Sequence, residues 1–164
     1  MESRANIENW LRTILIISIL VVTGFIVYVT IFNQNKPYIN FGLLNQGGQM
    51  GNYPNQVEVG QEFSLGYFVD NHNPNIQDFS VRTYLANYTT STVTFENGVE
   101  GGQLLNVYNL TINNGENYTS NPMQFALNST GLNFRICFEL WVYNQTVWNY
   151  LENSVQYIWL NCTT

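Results

Sequence analysis

Nine residues, Phe134–Val142 (FRICFELWV), carry the pattern that decides the fold. Apolar side chains occupy every second position, which is the period of a β-strand with one face in a protein core. The positions between them hold Arg135, Cys137, Glu139 and Trp141, so the second face combines charged side chains with a large aromatic ring. We therefore predict that one face of this strand enters a core and that something must cover the other.

The next strand, Ser154–Cys162, is apolar on both faces. We predict that the two strands form a hairpin around a loop centred near residues 148–149. One face of the hairpin enters the core, and we expect the other to contact a partner protein. Four side chains are predicted to form that contact: Trp141, Tyr143, Ile158 and Leu160. The alternative is that the chain's own residues 34–60 or a surface glycan cover this face.

The chain has two cysteines, Cys137 and Cys162. In the predicted hairpin, position 137 lies opposite residues 160–162, so we expect a disulfide between the two sulfurs in an oxidising compartment. The closed loop would stabilise the fold by about 3 kcal/mol in a chain-entropy description. Two cysteines and one distant histidine are too few ligands for a zinc site.

Short apolar runs separated by turn residues fill the rest of the chain after residue 60, as in a β-sandwich. The runs are Glu62–Val69, Phe79–Tyr88, Thr90–Glu96, Leu104–Ile112 and Tyr118–Leu127. No long amphipathic helix is visible among them. We predict an all-β domain over residues 61–164, an Ig-like antiparallel β-sandwich of about seven strands.

An apolar stretch near the start of the chain, Ile14–Phe32 (ILIISILVVTGFIVYVTIF), contains no charged residue. Nineteen helical residues span roughly 28 Å, about the thickness of a bilayer's hydrocarbon core. The run is longer than the apolar region of a cleaved signal peptide and does not end in a small-residue cleavage site. We therefore predict a signal-anchor, a single transmembrane helix over residues 13–33 that contacts membrane lipid.

Basic residues precede this helix at Arg4 and Arg12, whereas Lys36 alone follows it closely. The positive-inside rule then predicts that residues 1–12 are cytoplasmic and that the C-terminal domain lies outside the cytoplasmic membrane, at the cell surface. Residues 34–60, rich in Asn, Gln and Gly, are predicted to form a juxtamembrane spacer and a first strand.

Small and hydroxyl side chains form a patch on the predicted helix, at Ser18, Thr23 and Gly24. We expect another helix to approach closely there. The alternative is that the helix sits in lipid and its hydroxyl groups hydrogen-bond to its own backbone.

The outer part of the chain is acidic and poor in charge, with Lys36, Arg82 and Arg135 against nine carboxylates. Such a surface offers no footprint for a phosphate backbone, so we expect no nucleic-acid partner. Six N-x-S/T sequons lie on the predicted external side, where we expect at least two to be glycosylated. They begin at Asn87, Asn109, Asn117, Asn128, Asn144 and Asn161.

No motif points to catalysis, a cofactor or a metal. His72 is the single histidine, and we interpret its loop, Asp70–Asn75 (DNHNPN), as a turn and not as a cation site. Glu96 and Glu100 flank a glycine turn and are interpreted as a solvated pair and not as a glycosidase pair. The sequence has no nucleophile elbow, phosphate loop or CxxC motif. We therefore predict a protein that is not an enzyme.

Several short motifs resemble those of one family. They are Phe41-Gly42-Leu43-Leu44, Gly47-Gly48-Gln49, Asn52-Tyr53-Pro54, Val59-Gly60-Gln61-Glu62, Val69-Asp70-Asn71-His72, Asn114-Gly115-Glu116 and Met123-Gln124-Phe125. Their order resembles an archaeal membrane-anchored family known as a domain of unknown function (number 1616). The resemblance implies an Ig-like β-sandwich outside an archaeal cytoplasmic membrane, and it supplies no catalytic or binding residue. The chain departs from the family at Asn73, where Glu is usual, and in its single membrane helix.

Three functions remain open at this point. The leading one is an accessory or stabilising subunit of a membrane or cell-surface complex, whose β-sandwich contacts other proteins. The alternative is a pilin-like subunit of an archaeal surface filament that self-associates, because Arg4-Ala5 before Asn6 faintly resembles a prepilin cleavage site. The third is a glycan- or solute-binding module that uses the exposed aromatic residues Tyr84, Tyr88 and Tyr108.

Overall fold

The computed structural model describes the backbone of residues 2–32 and 36–164. Residues 33–35, where the predicted transmembrane segment ends and the predicted spacer begins, lie outside the described residues, as do Met1 and the side chains of residues 2–8, Ile31 and Phe32. The chain divides into two units, Met1–Lys36 and Pro37–Thr164.

The first unit is a single helix, α1 (Glu2–Phe32). Its segment Asn9–Thr30 has a mean hydropathy of 2.5, and none of it is buried within the protein. A helix that is apolar on every side is not stable against water, so it needs an apolar environment. The length and composition are those of a membrane span or of a signal sequence.

The second unit contains twelve strands. They are β1 (Ile39–Leu44), β2 (Gln56–Glu58), β3 (Glu62–Asn71), β4 (Asp78–Asn87), β5 (Thr92–Thr94), β6 (Gly98–Glu100), β7 (Gln103–Thr111), β8 (Glu116–Thr119), β9 (Met123–Ala126), β10 (Gly131–Tyr143), β11 (Trp148–Tyr150) and β12 (Gln156–Thr163). Six of them have six residues or more, and β8 and β9 both pair with β3 as one interrupted strand. The predicted count of about seven main strands is therefore confirmed.

The strands form two packed sheets and a separate hairpin. One sheet has the order β1-β3-β8, with β9 also on β3, and the other has the order β2-β12-β10-β4-β7, with β11 on β10. All pairs are antiparallel except β12 and β2, and β5 and β6 form the hairpin. This arrangement confirms the predicted antiparallel sandwich.

The core lies between the two sheets and is almost wholly apolar. The alternating residues of β3 (Phe63, Leu65, Tyr67 and Val69) face those of β10 (Phe134, Ile136, Phe138, Leu140 and Val142). Each strand buries the side chains at every second position, as the sequence period predicts. Burial of these large side chains removes apolar area from water and supplies the main stabilisation of the fold.

The predicted spacer contributes two strands to this sandwich. β1 pairs with β3 over its whole length, from Ile39 opposite Asn71 to Leu44 opposite Gly66. Val57 on β2 is buried, and β2 extends the six-stranded sheet beside β12. Residues 39–58 are therefore part of the folded unit.

Candidate interaction surface

The six-stranded sheet has one face in the core and a second face, here called the outer face, turned away from it. Residues of alternate positions on β10, β4 and β12 form the outer face: Arg135, Cys137, Glu139, Trp141 and Tyr143, then Arg82, Tyr84 and Ala86, then Tyr157 and Trp159. Arg82 and Arg135 are the only Lys or Arg residues after Lys36. The cationic side chains of the second unit are therefore confined to this face.

The β5–β6 hairpin covers the middle of the outer face. Val93 and Val99 of the hairpin pack against the buried side chains of Ala86 and Cys137. Gly98 has a φ of 76°, and a Cβ atom there would overlap a carboxylate oxygen on β10. Glycine is therefore required at this position on two counts. The β5–β6 hairpin, and not residues 34–60, therefore covers this part of the second face of β10.

Glu139 is a buried carboxylate beneath the hairpin, only 1% exposed. Its Oε1 accepts a hydrogen bond from the backbone N–H of Val99, and its Oε2 accepts one from Nε1–H of Trp141 at 2.8 Å. The guanidinium of Arg82 lies over the Trp141 ring, 3.7 Å from its centroid. Both carboxylate oxygens have a donor, so the fold itself stabilises this charge.

Arg135 is a buried side chain, 6% exposed, whose guanidinium makes one hydrogen bond among the described residues. Its Nη2 donates to the carbonyl oxygen of Ser91 at 3.0 Å, whereas its buried Nε has no hydrogen-bond partner among the described residues. Three rings surround it, with centroids 4.9 Å away for Trp159 and 5.9 Å for Tyr88 and Tyr157. Aromatic faces attract a cation, but they are not a counter-ion.

The charge of Arg135 has no carboxylate partner in the part of the chain that the structure describes. The one contact there between a basic side chain and a carboxylate joins His72 Nε2 and Asp70 Oδ1 at 3.1 Å, in a different loop. Each cation–π contact contributes about 0.5–2 kcal/mol, while an unpaired buried ion costs several kcal/mol. Three such contacts together contribute about 1.5–6 kcal/mol, which is of the same order as that cost, so what Arg135 lacks among the described residues is a counter-ion and a hydrogen-bond partner for its Nε.

Two of the rings around Arg135, those of Tyr88 and Trp159, are exposed, and together with the exposed side chain of Leu132 on β10 they form what we call the aromatic rim. The exposed fractions of Tyr88, Leu132 and Trp159 are 63%, 67% and 42%. The rings of Tyr88 and Trp159 are 6.0 Å apart and, with Asn133, line a cavity of about 280 Å³. Asn133 has a φ of 60° within a bulge of β10, and this bulge presents Leu132 to solvent.

The predicted partner-contact face is wrong for two of its four residues. Ile158 and Leu160 are buried in the core, because they pair with Ile136 and Phe134. Trp141 and Tyr143 lie on the outer face as predicted, but both are only half-exposed. The error is one of register, since a shift by an odd number of residues moves every side chain of a strand to the other face.

The predicted disulfide is also wrong. Cys137 pairs with Tyr157, five residues before Cys162, and both cysteines are free and buried. Five strand residues span roughly 17 Å, and a disulfide requires Cα atoms within about 7 Å. The thiols also lie on opposite faces, because Cys162 is in the core and Cys137 is under the hairpin. Burial raises the pKa of the Cys137 thiol from 9.0 to about 12.

The predicted helix patch lies on α1, where Ser18, Thr23 and Gly24 are exposed. Ser18 Oγ donates to the carbonyl oxygen of Ile14 at 2.9 Å, and a Cβ added at Gly24 would meet nothing within 4 Å. The first observation agrees with the alternative of hydroxyls bonded to the helix backbone. Contact of another helix with Ser18, Thr23 and Gly24 stays a prediction.

The sequons occupy different surroundings. Five of the asparagines are exposed: Asn109, Asn117, Asn128, Asn144 and Asn161. Asn87 is half-buried, and its Oδ1 accepts hydrogen bonds from the N–H and the hydroxyl of Thr89. Glycosylation of these residues stays a prediction.

The three tyrosines proposed for a ligand module do not come together. Tyr84 packs under the hairpin, whereas Tyr88 belongs to the aromatic rim. Tyr108 lines another cavity with Tyr67 and Tyr118. Among the described residues, no group of three or more His, Cys, Asp or Glu side chains is placed to hold a metal ion.

Sequence reasoning missed Arg135, Tyr88, Leu132 and Trp159 as one cluster. The available signal was Arg135 itself, a charged residue within an otherwise apolar strand of an Arg-poor domain. A buried charge needs compensating contacts, so the residues on the neighbouring strands are expected to supply them.

No protein-family model and no curated protein matches the chain. Among solved structures, it is similar to a CARDB domain from Pyrococcus furiosus in complex with di-metal ions, with a TM-score of 0.48 and 14% identity over 79% of this chain and 90% of that one. A beta-glucosidase from Listeria innocua gives 0.47 and 10% over 78% of this chain, and a DNA-bound alkylpurine DNA glycosylase from Pseudomonas fluorescens gives 0.46 and 10% over 75%. The chain spans 16% and 30% of the latter two proteins. The fold assignment rests on the strand pairing above, and no function is transferred from these proteins.

Proposed function

We propose that this is a non-enzymatic, single-pass membrane protein whose Ig-like domain binds an acidic partner protein outside the membrane. Its role would be that of an accessory or stabilising subunit of a membrane or cell-surface complex. The observation that carries the proposal is the buried guanidinium of Arg135, which has no carboxylate partner among the residues that the structure describes and which contacts the exposed rings of Tyr88 and Trp159.

The chemistry of this surface suits a protein contact. Trp, Tyr and Arg are the residues most enriched among side chains that dominate binding energy. A carboxylate from a partner would supply the counter-ion that Arg135 lacks, and the Tyr88 and Trp159 rings would exclude water around it. The remaining surface carries the nine carboxylates of the outer sequence, except for buried Glu139, so it would not attract an acidic partner.

The helix supports a location at the membrane. Asn9–Thr30 is long and apolar enough to span a bilayer, and the basic residues before it favour an external second unit. The resemblance to the archaeal family numbered 1616 implies the same placement. The partner would then be a membrane or cell-surface protein.

Co-purification from native membranes in a mild detergent tests the proposal. Trp159→Ala removes one of the three rim side chains, and we expect it to lower recovery of a stoichiometric partner at least tenfold. Tyr118→Ala is the matched control, because Tyr118 is similarly exposed, at 40%, on the other sheet. Equal recovery with the two variants, while both remain folded, would refute the assignment of the rim.

A second candidate function is a pilin-like filament subunit. The observation that motivates it is Arg4-Ala5 before Asn6, which resembles a prepilin cleavage site ahead of the apolar part of α1. Intact-mass measurement separates the two functions. Loss of residues 1–5 with self-association supports the filament, and retention of the N-terminus with a distinct partner supports the anchored subunit.

A further inference from the structure

The β5–β6 hairpin leaves a second part of the outer face uncovered, near Tyr143 at the other end of β10 from Arg135. A cavity of about 470 Å³ lies there, between the end of β10 with β11 and the paired ends of β4 and β7. Its lining includes Tyr143, Trp148, Asp78, Asn109 and Thr111. None of these residues belongs to the aromatic rim.

Strand pairing brings these side chains together. Tyr143 on β10 pairs with Trp148 on β11, and their ring centroids are 5.3 Å apart. Asp78 on β4 pairs with Thr111 on β7, and Thr111 Oγ1–H donates to Asp78 Oδ1 at 2.7 Å. The aromatic pair and the oriented carboxylate are therefore fixed by sheet backbone and not by a loop alone.

Amide side chains extend the polar part of this site. A second cavity, of about 550 Å³, shares Asp78 and Tyr143 with the first and is also lined by Asn75, Gln77 and Gln145. Each amide offers both hydrogen-bond donors and an acceptor, and the carboxylate accepts from hydroxyl groups. We call the two adjoining cavities the aromatic–amide cleft.

The lining limits what the cleft can bind. It contains no Lys or Arg, so an anionic ligand would meet only the negative charge of Asp78. Asp78 is the single carboxylate there, too few for a metal ion. Abundant polar groups disfavour a purely apolar ligand, since binding would leave them unpaired.

We propose that the aromatic–amide cleft binds a neutral oligosaccharide. The apolar C–H faces of a sugar ring pack on the Tyr143 and Trp148 rings, and its hydroxyl groups hydrogen-bond to Asp78 and the amides. The same contacts would bind a sugar from either of two sources. One is a free or partner-borne glycan, and the other is an N-linked glycan of this chain. Asn109 lines the cleft and begins a sequon, and Asn144 follows Tyr143 directly.

Binding of defined oligosaccharides to the full chain tests the proposal. The unglycosylated protein is held in a detergent without a sugar headgroup, because maltoside or glucoside headgroups would compete. The probes are hexamers of glucose, N-acetylglucosamine and mannose, measured by saturation-transfer NMR and calorimetry. We expect at least one to bind, and Trp148→Ala and Asp78→Asn each to weaken its affinity about tenfold, or about 1.4 kcal/mol.

Trp159→Ala is the control, since it removes an exposed tryptophan at the other end of the same face. Its affinity for the sugar should equal that of the wild type, whatever happens to partner co-purification. The cleft is refuted if no probe binds at about 10 mM, or if a probe binds folded Trp148→Ala and Asp78→Asn variants as well as the wild type. Failure of this test leaves the aromatic rim untouched, because the two sites share no residue.

Protein made in a glycosylating host distinguishes the two sources. If this chain's own glycan fills the cleft, the glycosylated wild type will not bind the probe, and enzymatic removal of its N-linked glycans or the Asn144→Gln substitution will restore binding. If the glycan comes from elsewhere, glycosylated and unglycosylated proteins will bind alike.

Discussion

Glu139 and Arg135 are two buried charges on the same face of the same strand, yet their surroundings differ. Both carboxylate oxygens of Glu139 accept hydrogen bonds, from Val99 and Trp141. The Nε of Arg135 has no hydrogen-bond partner among the described residues, and the rings beside it are open to solvent. Burial alone does not distinguish a charge that holds the fold from one available to a partner, whereas hydrogen-bond pairing does.

The largest expected effect comes from Gly98, which lets the hairpin approach Glu139. Gly98→Ala combines a φ of 76° with overlap of Glu139 Oε1, and we expect it to lower the free energy of unfolding by about 3 kcal/mol. Gly115→Ala is the control, since its φ is 84° but its Cβ would meet nothing within 4 Å, so about 1 kcal/mol is expected. Urea denaturation of the full chain in a mild detergent measures both. Equal losses would mean that the contact with Glu139 does not matter.

Glu139→Gln is expected to cost about 2 kcal/mol of unfolding free energy. An amide has one acceptor oxygen, so its NH₂ group would face either the Val99 N–H or the Trp141 indole N–H, and a buried donor would lose its partner. The same denaturation experiment measures the loss. Glu100→Gln, an exposed change on the same hairpin, should have almost no effect. A similar small effect at both positions would contradict a structural role for the buried carboxylate.

Cys137 lies between Arg135 and Glu139 on β10. We expect its raised pKa to lower the free energy of unfolding in mild alkali. Because its pKa is about 12 when folded and 9.0 ordinarily, the unfolded chain releases the proton first as the pH rises. Unfolding is thereby favoured, by about 0.8 kcal/mol between pH 8 and pH 9.5. Denaturation of wild type and Cys137→Ala at both pH values isolates this contribution, since burial also raises the pKa values of Tyr67, Tyr84 and Tyr150. A pH dependence that persists unchanged in Cys137→Ala would exclude the thiol as its source.

The smallest effect on stability is expected at Arg135. Arg135→Met keeps the unbranched stem and removes a charge that costs energy to bury, so we expect the unfolding free energy to change by less than about 0.5 kcal/mol. Partner recovery should nevertheless fall as far as with Trp159→Ala. Arg82→Met is the matched control, because Arg82 also stacks on a tryptophan of the outer face. Stability loss at Arg135 comparable to that of Glu139→Gln would place both charges in the same structural role.

The sequence predicts the sandwich well because core strands alternate. Phe63 to Val69 and Phe134 to Val142 show every second position apolar, and the core contains those residues. The short strands β2 and β11 were not predicted, since three residues carry no period. The sequence predicts a strand and a turn within residues 92–100, but the packing of this hairpin against β10 depends on contacts between residues distant in sequence.

The register of β12 could not be predicted for a physical reason. Tyr157 and Trp159 on one face and Ile158 and Leu160 on the other are all apolar, because the core covers one face while the hairpin and Arg135 occupy the other. Without alternation, only the loop length could set the register, and β11 changes the loop by folding back on β10. The partner face and the disulfide were both derived from that register, and both errors follow from it.

The position of β12 within its sheet has a consequence for biogenesis. β12 lies between β2 and β10, and Val57 pairs with Cys162, so the sheet stays incomplete until β12 has left the ribosome. Pairings so distant in sequence form late. On the proposed topology, the second unit is therefore translocated as an unfolded chain, and even the asparagine at position 87 is accessible to an oligosaccharyltransferase before the strands close around it.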